Sequence, residues 1–125
     1  MVARTTRMNQ IEQAREIAGL YIKHGWQLRR ALLRSETLAL LAALANGNGE
    51  ASPEIFAGVT PTESSVDALW FSRPASAGRE SWELRLVRDA PYALLEIFES
   101  DEAEEDREDV RREMEARLRD YAGQA

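Results

Sequence analysis

Residues 66–99 read VDALWFSRPASAGRESWELRLVRDAPYALLEIFE, and this stretch decides the fold. It holds three apolar runs, Val66 to Arg73, Trp82 to Val87 and Tyr92 to Glu99. Each is short for a helix and is bounded by turn chemistry, which is the pattern of strands. Pro74, Ser76 and Gly78 mark the first connection; Asp89, Ala90 and Pro91 mark a tighter second one. Within the middle run Trp82, Leu84 and Leu86 alternate with Glu83 and Arg85, so one face of the strand is apolar. The reading is an antiparallel meander.

Upstream, Asn9 and Glu12 form a capping box ahead of an apolar face made by Ile11, Ala14, Ile17, Ala18, Tyr21 and Ile22. Gly25 supplies the stop, so the pattern predicts a helix over residues 10–24. Residues 26–34, WQLRRALLR, fit two readings. Trp26, Leu28, Arg30 and Leu32 alternate as in a strand, whereas Leu, Arg, Ala and Gln prefer helix. The break at Gly25 and a fresh N-cap at Ser35 favour the strand. Residues 35–45 then read as an Ala/Leu helix that ends at Asn46-Gly47.

Residues 46–65 are dominated by Gly, Asn, Pro, Ser and Thr and read as a long loop. One turn of helix is expected inside it, capped by Ser52, with Pro53 at its first position and Gly58 at its end. Ser100 caps a final helix expected over 101–121. Its acids come first and Arg117 and Arg119 last, which suits the helix dipole. Glu108 with Arg112, Glu113 with Arg117, and Glu115 with Arg119 are spaced for ion pairs worth about 0.2–0.5 kcal/mol each. Residues 1–8 read as a flexible arm. The expectation is one α+β domain over residues 1–125: a three- to four-stranded antiparallel sheet, with its meander at 66–99, packed against N- and C-terminal helices. The element order is α-β-α-loop-β-β-β-α.

Composition narrows the functions. The chain has 125 residues, 44% apolar and 30% charged, so it is long enough to bury a core without staples. It has no cysteine, which removes disulfides, thiolate metal sites and a cysteine nucleophile together. A net charge of −6 disfavours nucleic acid and anionic membranes as partners. No apolar run approaches membrane-spanning length, and the expected setting is the cytoplasm. His24 is the only histidine and has no HExxH or thiol companions, so neither a metal nor any other cofactor is expected. GxSxG, GxGxxG and GxxxxGK[ST] are all absent, and nothing marks an enzyme. The acidic run from Asp101 to Asp109 reads as a solvated, dipole-matched helix start.

Two features remain. Arg30, Arg73 and Arg85, with Trp70, could anchor an anionic ligand in an apolar pocket between sheet and helices. The strand from Tyr92 is apolar on both sides, and Leu69 to Phe71 repeats that excess. A strand of that kind is covered twice or shared with another chain. Leu69, Phe71, Tyr92, Leu94 and Phe98 are therefore the expected interface of a homodimer. The helix–meander–helix order resembles in outline small acidic bacterial chaperones and adaptors. That resemblance implies a non-enzymatic protein-interaction module; the alternative is a small-ligand-binding domain with an arginine anchor.

Overall fold

The computed structural model describes residues 9–48, 56 and 58–123. The elements run α1 (Gln10–Lys23), β1 (Gln27–Leu33), α2 (Ser35–Asn48), β2 (Thr62–Glu63), β3 (Ala68–Pro74), β4 (Glu80–Leu86), β5 (Ala93–Phe98) and α3 (Glu104–Gly123). The architecture is α+β, as the pattern of runs implies. The sheet is larger than expected, with five strands in the order β2-β1-β3-β4-β5. All neighbours are antiparallel except β1 and β2, which run parallel.

Local chemistry sets most boundaries. At the start of α1, the Asn9 side chain accepts from the Glu12 N–H, and the Glu12 carboxylate accepts from the Asn9 N–H, at 2.8 and 3.2 Å. Gly25, at φ 91°, turns the chain out of the helix, and the Trp26 N–H returns to the Tyr21 carbonyl at 3.0 Å. Residues 27–33 form a strand against their local helix propensity, because they pair along β3 and bury Leu28, Ala31, Leu32 and Leu33. Gly78 has φ 74°, and a Cβ there would sit 3.3 Å from Ser100 Cβ, so the β3–β4 connection needs glycine twice over.

Three expectations change. The loop 46–65 gives residues to both neighbours: α2 runs three residues past Ala45, and Thr62 and Glu63 add a strand alongside Leu32 and Leu33. The expected turn at Ser52 and Pro53, like the arm at 1–8, lies outside the described residues. The last helix begins at Glu104, because residues 99–102 close a turn of their own. In it the Glu102 N–H donates to the Glu99 carbonyl at 3.2 Å, and the Glu99 N–H to Glu102 Oε1 at 2.7 Å. Ala103, not Ser100, then accepts the first helical bonds.

Both sheet faces are packed. On one, α1 brings Ala14, Ile17 and Ala18 onto Leu28, Ala31, Leu33, Leu69 and Phe71, with Leu38 and Leu41 of α2 beside them. Tyr21 stacks on Phe71 with ring centroids 4.1 Å apart. On the other, Met114 and Leu118 of α3 cover Trp70, Trp82, Leu84, Leu86 and Phe98. The strand covered twice is therefore β3, in the middle of the sheet. β5 lies at the edge.

Candidate functional site

The predicted ligand anchors fall on opposite sides of the sheet. Arg30 and Trp70 face α3. Arg30 forms a two-pronged bond to Glu108 at 2.9 and 3.2 Å, and the wholly buried Trp70 donates its indole N–H to Glu115 at 2.7 Å. Arg73 and Arg85 face α1. The Arg73 guanidinium lies 4.4 Å over the Trp26 ring and donates to the His24 carbonyl at 3.0 Å. Arg85 lines the same shallow groove of about 420 Å³, with Leu20, Tyr21 and Glu83. One anchor made of all four residues is excluded by the sheet between them. His24 stays at the helix end, its Nδ1 3.3 Å from the Leu20 carbonyl.

The expected interface residues are also displaced. Leu69, Phe71 and Phe98 are buried in the chain's own core and offer no surface to a partner. Tyr92 and Leu94 pack under α3, where Tyr92 stacks on Tyr121 at 3.6 Å between centroids. The opposite side of β5 is the open one. Leu95 and Ile97 are 56% and 43% exposed, and Leu20 on the adjoining flank of α1 is 55% exposed. The reason is lateral: α1 and α2 cover β1 and β3, but neither reaches across β4 to β5.

β5 has a second open property. The Leu86 N–H donates to the Tyr92 carbonyl at 3.0 Å, so Tyr92, Leu94, Glu96 and Phe98 turn their backbone groups towards β4. Ala93, Leu95 and Ile97 turn theirs outward, to an edge that no described strand occupies. The same residues thus present apolar side chains and unpaired backbone groups. Edge strands are usually protected by lysine, proline or a bulge. β5 has no lysine or proline and pairs with β4 without a register shift.

A third arrangement, around Trp82, is structural. Arg111 is 1% exposed and lies 3.9 Å over the Trp82 ring, with Arg29 and Arg30 at 5.0 and 5.7 Å. Its Nη1 donates to Glu104 and Glu108, each at 2.8 Å. Those guanidinium bonds hold both carboxyls below the usual glutamate range, with Arg30 the largest influence on Glu108 and Arg111 on Glu104. Glu108 is thereby diverted from its expected partner: Arg112 pairs instead with Asp109 at 2.8 Å. Of the expected helical pairs, Glu115 and Arg119 stand 3.9 Å apart.

At the far end of the sheet, Asp67 is a buried hub. It accepts from the Arg34 N–H at 2.8 Å, Arg34 Nε at 3.2 Å, Thr37 Oγ1 at 2.8 Å and Gln10 Nε2 at 2.8 Å. It ties α1, the β1–α2 corner and the entry to β3, beside a cavity of about 550 Å³. Sequence reading missed this hub because its partners come from separate elements. Among the described residues, no three His, Asp or Glu side chains gather as a metal site would need, and no helix is long and apolar enough to cross a membrane. No family model matches the chain, and neither a curated protein nor a solved structure resembles it closely enough to count as a relative.

Proposed function

We propose that this chain is a small, acidic, non-enzymatic protein-interaction module that works as a twofold dimer joined edge to edge through β5. The observation that carries the reading is the coincidence at Ala93, Leu95 and Ile97 of outward backbone groups with exposed apolar side chains. The occupant is a second copy because the strand is self-complementary. With the axis through Leu95, Ala93 meets Ile97 of the second copy, and each pair exchanges its backbone hydrogen bonds. Glu96 then lies opposite Leu94. Moving the axis to Glu96 would set two carboxylates face to face, which is unfavourable. Moving it to Leu94 would shorten the overlap. The favoured register pairs residues 93–97 with the same span of the second copy and sets Phe98 opposite Tyr92.

Pairing of one six-residue strand is a small interface, so the dissociation constant should be on the order of micromolar. Light scattering between about 1 and 100 μM, a window set by that estimate, should show mass rising from 14.1 kDa towards twice that value. Leu95→Lys changes an exposed side chain and should leave urea stability intact while holding the protein monomeric. Leu95→Cys, the only thiol then present, should cross-link to itself through a short bismaleimide more readily than Leu20→Cys. A wild-type mass fixed at 14.1 kDa would sink the dimer. A dimer that survives Leu95→Lys would move it to another surface.

A further inference from the structure

The cavity beside Asp67 has an excess of positive donors that the fold does not use. Arg34 enters it from the β1–α2 corner, Arg88 from the end of β4 and Arg119 from α3. Two acids, Asp67 and Asp89, also line it. Asp67 is 2% exposed in its side chain and already accepts four hydrogen bonds. Asp89 accepts from Gln13 Nε2 at 2.7 Å. Both carboxylates are therefore engaged within the wall.

The three guanidiniums are committed much less. Arg34 is gripped through Nε alone, which fixes the fork and leaves both Nη groups without a partner among the described residues. Arg88 makes one long bond, Nη2 to the Ala122 carbonyl at 3.4 Å. Arg119 approaches Glu115 only at 3.9 Å, beyond hydrogen-bond reach. Each guanidinium carries five N–H donors in a planar fork, a shape that matches an oxyanion. The carbonyl end of α3, at Ala122 and Gly123, opposes an anion there, and Arg88 covers the first of these carbonyls. In a chain of net charge −6, a cavity with three arginines against two engaged acids is a local reversal of sign.

We infer that this cavity is a binding site for a small oxyanion, a phosphate or carboxylate group on a metabolite-sized molecule, held by the forks of Arg34, Arg88 and Arg119. Its volume of about 550 Å³ lies in the range of small-molecule sites. The site contains no residue of β5, so it stands whether or not the chain pairs through that strand.

Sodium phosphate and sodium succinate, titrated separately at constant ionic strength, are the probes, with calorimetry and the arginine Nε–H NMR signals as readouts. At least one anion should saturate below about 10 mM and shift the signals of Arg34, Arg88 and Arg119. Saturation by phosphate alone identifies a phosphoryl ligand, and by succinate alone a carboxylate. Arg88→Gln and Arg119→Gln should each weaken binding about tenfold, while Arg112→Gln, exposed on α3 and outside the cavity, should not. If Arg88→Gln fails to fold, Arg119→Gln decides. The inference fails if neither anion saturates, or if the variant tested binds as the wild type does.

Discussion

The guanidinium of Arg111 lies 3.9 Å over the indole ring of Trp82, and the residue is buried to the depth of the aliphatic core, at 1% exposure. An arginine occupies that position because the ring face offers negative potential above and Glu104 and Glu108 supply acceptors at the rim. The contact joins the middle of α3 to the middle of β4, so it sets how the last helix crosses the sheet.

Arg111→Ala should therefore cost about 2–4 kcal/mol in urea melts, from lost contact with the Trp82 ring, the space left over it, and the lost bonds to Glu104 and Glu108. Arg111→Met should cost less than half as much, since it restores volume over Trp82. Equal losses in the two variants would show that the charge, not the packing, carries the contact.

Acid should weaken the same contact. Arg30 beside Glu108 and Arg111 beside Glu104 depress both carboxyls below the ordinary 4.5. Their contribution is present above that value and is lost as pH falls through the depressed ones. Wild-type urea midpoints should fall below pH 4.5. Glu108→Gln should be less stable near neutrality, and its midpoint should fall less on acidification. A parallel fall in wild type and variant would remove Glu108 from the account.

Two leucines on neighbouring strands test the difference between the faces. Leu84 is fully buried under α3, and Leu84→Ala should cost about 2–5 kcal/mol. Leu95 is exposed on the other side of β5, and Leu95→Ala should cost less than about 0.5 kcal/mol in dilute monomer. Comparable losses at the two sites would mean that α1 reaches farther across the sheet than its packing indicates.

The strands were legible where burial is local in the chain. Trp82, Leu84 and Leu86 alternate and all three are buried, and Asn9 with Glu12 marks the first helix start to the residue. Illegible features depend on partners distant in sequence. Thr62 and Glu63 are a strand only because Leu32 and Leu33 lie beside them. The two apolar sides of β5 were visible in Tyr92 to Phe98, but which side stays open depends on the course of α3. Tyr121 over Tyr92 and Met114 within the second core settle that course, and neither contact has a sequence signal. Asp67 gave none either, since its four bonds reach Gln10, Arg34 and Thr37.

Alkali should expose the Tyr21 corner of the groove. The Tyr21 hydroxyl donates to Glu83, and its ring lies between Trp26 and Phe71. Burial first, and then the Glu83 carboxylate, push its pKa from 10.0 up to about 12. The fold thus favours the neutral phenol: this stabilisation is complete below pH 10 and is lost as pH rises towards 12. Near-ultraviolet titration of wild type minus Tyr21→Phe should isolate one phenol with a midpoint near 12. Glu83→Gln removes the second cause and leaves the first, so its midpoint should fall yet remain above 10.0. A Glu83→Gln midpoint at 10.0 would mean that the carboxylate alone holds the proton and that the ring is far wetter than its stacking on Phe71 implies.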